Sequence, residues 1–407
     1  MSAELIKSYP LHKRLLYGLL PALLIHLSIG SVYAWTMLVG DISKAIGSPE
    51  CEVHWAFSLA IFFLGMSAAL GGKLSERNLT LSAGLSTFMF ISGLIVAGFG
   101  VTIKSQFLLI LGYGCIMGIG LGVGYMTPIK NVMLWFPKSN GMAIGSTILG
   151  FGFSGSIAAL LINWLLKSYS PNIVLYSLAA IYLIPMVIGT VLIKRPDDYV
   201  REEASKDNNI NSSIKDIFTF AFIIMWMMML LNITAGLAII GNAKQILLDS
   251  VVYKPNTIIS IIFLMGIFNG AGRLLLSSST DSMKKKYRIY YWIFGIPVVV
   301  MSLYTYLPDM IPKILLASTL MYGAGFSCLP IIIKERFGIH NLSVLHGSIL
   351  TAWGIAGLIG NNIGEFILNN VGINALFHIL TTFYISGTVL VILLSKDNER
   401  INKYKPI

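Results

Sequence analysis

The chain has 407 residues, of which 56% are hydrophobic and only 12% charged, and its mean hydropathy is +0.77. That balance excludes a soluble globular domain and describes a polytopic helical membrane protein in contact with the lipid bilayer. A net charge of +11 raises nucleic acid as a partner, but basic residues flanking membrane spans account for it, and none is expected.

The N-terminus carries Lys7, Lys13 and Arg14 ahead of an apolar run as long as a full span, without a small-residue cleavage site. A cleaved leader is therefore not expected. Apolar runs punctuated by charges, Pro and Gly predict twelve spans, near 15–39, 54–72, 80–103, 107–128, 141–165, 172–193, 216–240, 257–277, 288–307, 311–333, 344–368 and 372–395. The longest polar segment, 194–215, divides residues 1–193 from residues 216–407, six spans each. With both termini inside, 22 of the 29 Lys and Arg fall in cytoplasmic segments and 6 outside. That asymmetry predicts cytoplasmic termini.

Span four is rich in glycine (Gly112, Gly114, Gly118, Gly120, Gly122, Gly124), and span five reads Gly150-Phe-Gly152-Phe-Ser-Gly155. Small residues let helices approach closely, so these stripes predict dense packing without naming a ligand. The cysteines Cys51, Cys115 and Cys328 have neither pairing nor metal spacing. No Ser/His/Asp set, phosphate-cradling loop or metal-ligand spacing occurs, so no catalytic centre, metal or cofactor is expected.

The apolar run of span eight, from Ile258 to Leu276, contains one charge, Arg273, eight residues before Asp281. At 1.5 Å per residue it lies about 12 Å from the charged end, too deep to snorkel easily. A buried arginine costs about 2.5–3.5 kcal/mol on insertion scales. A chain retains that cost where the guanidinium meets water, a partner or an anion, and its planar fork suits a carboxylate.

Several motifs occur in order: Gly30-Ser-Val-Tyr33-Ala-Trp35, Trp55-Ala-Phe-Ser-Leu-Ala, Gly122-Val-Gly-Tyr-Met-Thr-Pro128, Trp135-Phe-Pro137, Asn269-Gly-Ala-Gly-Arg273 and Leu350-Thr-Ala-Trp353-Gly-Ile-Ala-Gly357. Together they resemble the oxalate:formate antiporter family of the major facilitator superfamily, with the monocarboxylate transporters as relatives. The resemblance implies an all-α membrane protein of two pseudo-symmetric six-helix bundles, working by alternating access around a central carboxylate site. An acidic residue with basic neighbours ends span two (Glu76, Arg77) and span eight (Asp281, Lys284), consistent with a duplicated unit.

The resemblance assigns the carboxylate to Arg273. The family's second cation falls in the stretch where this chain has Trp353, so one cation is expected to meet one carboxylate. A monocarboxylate of the lactate, pyruvate or formate type fits better than oxalate or another dicarboxylate. Where proton-linked monocarboxylate transporters hold an Asp one turn before the arginine, this chain has Asn269, which orients the guanidinium but cannot carry a proton. Exchange or facilitated movement is expected over symport, with Glu365 and His26 as the proton-coupling candidates. Tyr33, Tyr125 and Trp353 are expected to wall the site. Glu76, Arg77 and Asp281 are expected to act as gate elements. His26 also reads as a packing residue, and His346 as interfacial. A monomer in a bacterial inner membrane is expected; a sensor built on a transporter scaffold is the alternative outside transport.

Overall fold

The computed structural model describes residues 9–197, 215–250, 255–304, 307, 310–339 and 342–403, and every regular element among them is helical. Twelve long helices follow one another: α1 (Leu11–Met37), α2 (Glu50–Arg77), α3 (Leu79–Thr102), α4 (Gln106–Trp135), α5 (Asn140–Leu166), α6 (Pro171–Leu192), α7 (Phe220–Ser250), α8 (Pro255–Ser279), α9 (Ile289–Tyr304), α10 (Ile311–Phe337), α11 (Leu342–Asn370) and α12 (Ile373–Lys403). Among the described residues, eleven helices are long and apolar enough to cross a membrane. The exception, α9, has 16 residues, fewer than the ~20 a span needs. Residues 198–214, most of the expected linker, lie outside the described part.

Local chemistry sets the boundaries. Asn78 is extended (φ −150°), which stops α2, and its Oδ1 accepts from Leu81 N–H at 3.0 Å to cap α3. α1 is not uniform: its residues Gly30–Met37 wind as a 3₁₀ helix. Such a stretch inside a longer helix often marks a functional hinge, and this one carries Tyr33. Large apolar side chains such as Leu70, Phe88, Leu160 and Phe366 point outward, as a lipid-facing surface requires.

The helix ends at Arg77, Trp135, Ser279 and Phe337, together with the starts of α5 and α11, gather at one end of the bundle, called here the linker end. There α2 packs along α11 and α5 along α8, close enough for backbones to touch. A Cβ on Gly65 would lie 2.6 Å from Gly354 N, and one on Gly141 would lie 2.0 Å from the Ser277 carbonyl oxygen. Only glycine permits either approach.

Two acidic residues clasp this end. The Asp281 carboxylate accepts from Gly141 N (2.8 Å) and Met142 N (3.0 Å), in the first turn of α5. Glu76 Oε1 accepts from Ser343 N (2.8 Å), in the first turn of α11, while Oε2 pairs with Lys130 Nζ at 2.7 Å. Lys130 is fully buried and also donates to Ile339 O at 2.7 Å. Each carboxylate thus meets the positive end of a helix from the other group of six, where anions are stabilised. Arg77 and Lys284, the basic neighbours of these acids in sequence, are exposed, and Glu76 pairs instead with Lys130, which the sequence did not single out.

Candidate functional site

Arg273 lies at the centre of the bundle and is 0% exposed. Its Nε donates to Asn269 Oδ1 at 3.1 Å, one turn earlier on α8, and its Nη1 reaches the Ile148 carbonyl on α5 at 3.5 Å. Nη2 is buried and has no hydrogen-bond partner in the protein. Among the described residues no carboxylate lies within ion-pair distance of it. Two rings face the guanidinium instead, Phe326 at 5.1 Å and Phe151 at 5.8 Å from Cζ. Cation–π contacts of this kind are worth ~0.5–2 kcal/mol and do not neutralise the charge.

The glycines of α5 make this room. A Cβ on Gly152 would stand 3.2 Å from Arg273 Nε, and one on Gly155 would stand 2.9 Å from the Tyr33 Cβ. Between these gaps Phe151 projects inward and stands edge-on to Tyr33 (5.5 Å), Tyr125 (5.3 Å) and Trp353 (5.9 Å). Trp353 in turn packs on Phe326 at 4.5 Å and Tyr125 at 5.5 Å. Tyr322, one turn before Phe326 on α10, completes the wall at 5.1 Å from it.

The polar tips of this wall are the notable feature. The hydroxyls of Tyr33, Tyr125 and Tyr322 and the indole Nε1 of Trp353, like Arg273 Nη2, are buried with no protein group within 3.5 Å in hydrogen-bond geometry, although the Tyr33 hydroxyl stands close enough to Arg273 and Tyr322 to interact with both. Leaving one buried polar group unmade costs ~1–3 kcal/mol. A set of such groups around one guanidinium is donor-rich and apolar-walled, suited to a small molecule with a carboxylate.

The sequence-nominated residues Arg273, Asn269, Trp353, Tyr33, Tyr125 and His26 therefore come together. His26 stacks on Tyr125 at 5.2 Å, and its ring nitrogens face two carbonyl oxygens, Thr147 O (3.0 Å) and Tyr125 O (3.2 Å). Glu365 is not brought in: it is exposed on α11, twelve residues and about 18 Å beyond Trp353 along the axis. Glu76, Arg77 and Asp281 sit at the linker end. Sequence reasoning missed Phe151, Phe326 and Tyr322, although the i, i+4 spacing of the last two and the glycines flanking the first were available signals. It also misread His346, which is fully buried rather than interfacial. Among the described residues no group of three His, Cys, Asp or Glu side chains is placed to hold a metal ion.

A bundle of membrane-length helices closed at one end around an unpaired buried charge has the architecture of a membrane transporter. The comparisons carry this further: the chain belongs to the Major Facilitator Superfamily, whose family profile matches residues 21–360. The uncharacterised transporter YhjX of Escherichia coli is 26% identical over 355 residues, 84% of this chain and 85% of its own. The oxalate:formate antiporter of Oxalobacter formigenes is 23% identical over 97% of this chain and 96% of its own. Monocarboxylate transporter 13 of Bos taurus is 24% identical over a shorter stretch, 41% of this chain and 38% of its own. Among solved structures, the fucose:proton symporter FucP of E. coli superposes with a TM-score of 0.70 at 13% identity, over 95% of this chain and 99% of that one.

Proposed function

We propose that the protein moves a small monocarboxylate, of the lactate, pyruvate or formate type, across a bacterial inner membrane by alternating access. Residues 1–193 and 216–407 act as the two moving halves of six spans each, α9 included, joined by the linker 194–215. Both termini face the cytoplasm, so the linker end is the cytoplasmic end, and a monomer suffices. The carrying observation is Arg273 Nη2, buried, charged and unpartnered beside Tyr33, Tyr125, Tyr322 and Trp353. A carboxylate docked there satisfies the guanidinium and takes hydroxyl donors as well. Every other side chain named in the wall is neutral, which supports a single negative charge over a dicarboxylate.

The names of two relatives, an oxalate:formate antiporter and a monocarboxylate transporter, support a carboxylate substrate. Asn269, held on Arg273 Nε, cannot take a proton, which supports exchange. Glu76 with Lys130, and Asp281, latch the linker end; Arg77, exposed at the end of α2, has the lesser part in that gate.

Proton-linked transport is the second reading, and one observation favours it over Glu365 as the carrier. Both His26 nitrogens face carbonyl oxygens, and only a protonated ring donates to both.

The test is counterflow in proteoliposomes preloaded with unlabelled lactate, pyruvate, formate or oxalate and offered the labelled acid, with and without a pH gradient. Monocarboxylate exchange that Arg273→Ala abolishes is expected. Flux unchanged in Arg273→Ala would refute the site, and oxalate as sole substrate would refute the single-charge argument.

A further inference from the structure

One buried polar side chain takes no part in the site or the clasp. His346 lies on α11, is 0% exposed, and neither Nδ1 nor Nε2 has a partner in the protein. His26 shows the contrast: where an imidazole staples helices together, the fold supplies a carbonyl to each nitrogen. His346 packs as tightly but is left wanting on both. A buried donor and acceptor that the protein does not satisfy call for an explanation.

Its position suggests one. His346 is seven residues before Trp353, so the two share a face of α11, about 10 Å apart along the axis. Tyr125 touches both, with ring centroids 5.5 Å from Trp353 and 6.2 Å from His346. In the other direction, Ser343 is one turn away, and its N–H is held by Glu76 in the clasp. Gly347, the next residue, lies against the α2 backbone: a Cβ there would be 2.1 Å from Ala68 O. His346 thus lies between the level of Trp353 and Tyr125 and the clasp at the linker end.

We propose that His346 is a second contact for the substrate carboxylate, a transit station on the linker-end side of Arg273. When Glu76 releases the first turn of α11 and the linker end opens, one ring N–H donates to a carboxylate oxygen leaving or approaching the guanidinium. The other nitrogen accepts from water or from a substrate hydroxyl. Tyr125, whose hydroxyl is also unpartnered, bridges the two levels. The ring thereby supplies a donor at a depth where the anion has left one set of contacts and has not regained full hydration. The inference rests on the reading of Arg273 as the carboxylate site, and its distinguishing consequence is sidedness. Substrate arriving at the linker end meets His346 first, whereas substrate arriving at the opposite end reaches Arg273 without it.

The experiment measures KM for labelled lactate or pyruvate separately from each face, in proteoliposomes of known protein orientation, for wild type, H346L, H346Q, H346N and R273A. H346L is expected to raise KM about tenfold at the linker end, the equivalent of ~1.4 kcal/mol and the scale of one hydrogen bond to a charged group. At the other end it should stay within about twofold, and H346Q, whose amide replaces the donor, should restore most of the loss. If H346L does not reach the membrane, H346N, with a shorter reach, should show the same one-sided rise. Equal changes at both faces, or none at either, would overturn the station and leave His346 as packing. Flux that persists in R273A would overturn the underlying site, a result independent of how the His346 variants behave.

Discussion

Replacing Glu76 by Gln separates the electrostatic part of the linker-end clasp from its shape. Gln retains the volume and an oxygen for Ser343 N–H but removes the charge from a carboxylate 2.7 Å from Lys130 Nζ. Lys130 is 0% exposed and the Glu76 side chain 14%, so the pair is largely desolvated. Removing one partner of a buried pair costs ~3–5 kcal/mol. With the amide retained and the modest exposure of Glu76, about 3 kcal/mol is the appropriate end of that range. In the proposed cycle Lys130 regains water when the halves part, so the cost falls on the clasped arrangement alone. The ratio of clasped to open forms should therefore drop about a hundredfold, at 1.4 kcal/mol per factor of ten. The assay is the rate at which a membrane-impermeant thiol reagent labels Ser343→Cys from the linker side, in a background lacking Cys51, Cys115 and Cys328. Faster labelling in the E76Q background is expected, with partial reversal when Lys130→Met removes the lysine charge as well. Unchanged labelling, or no reversal by the double substitution, would refute the argument that this pair holds the end closed.

Gly141→Ala should also open the linker end, because its Cβ would stand 2.0 Å from the Ser277 carbonyl and lift the α5 start off Asp281; the same labelling rate should rise, and an unchanged rate would show that α5 and α8 part without consequence. Gly152→Ala should raise the counterflow KM several-fold with normal folding, since a Cβ 3.2 Å from Arg273 Nε moves the guanidinium by a few tenths of an ångström; an unchanged KM would mean the fork is not positioned by this gap. His26→Gln addresses the proton-linked reading. If this ring, set between Thr147 O and Tyr125 O, carries the coupled proton, an imposed pH gradient should accelerate wild-type flux in the counterflow assay. His26→Gln should abolish that acceleration, and an acceleration unaltered by it would remove His26 from coupling.

Much of this is legible in the amino-acid sequence. Apolar runs of span length follow directly from bilayer thickness, and the described helices lie over the predicted spans, α9 being described as far as Tyr304. Arg273 was marked by the cost of its burial, Tyr33, Tyr125, Trp353 and Asn269 by motif, and His26 as the lone histidine of span one; all five gather near it. What hydropathy along a single helix cannot carry is which face meets which neighbour. Phe326 and Tyr322 looked like ordinary apolar residues of α10 until packing turned them toward the guanidinium. Glu76 and Asp281 read as gate elements beside adjacent bases, with no partner across the bundle legible. The fold instead gave them helix N-termini more than 100 residues away, whose N–H groups have no partners within their own helix. His346 read as interfacial from its nearness to a helix end, yet neighbours from the other group of six cover it. The sequence by itself determined depth, length and the identity of the buried charge, since these depend on transfer of each side chain from water. The tertiary structure alone decided the aromatic wall around Arg273, the clasp and the place of His346, because glycine-permitted approach of distant backbones sets which polar groups are satisfied and which are not.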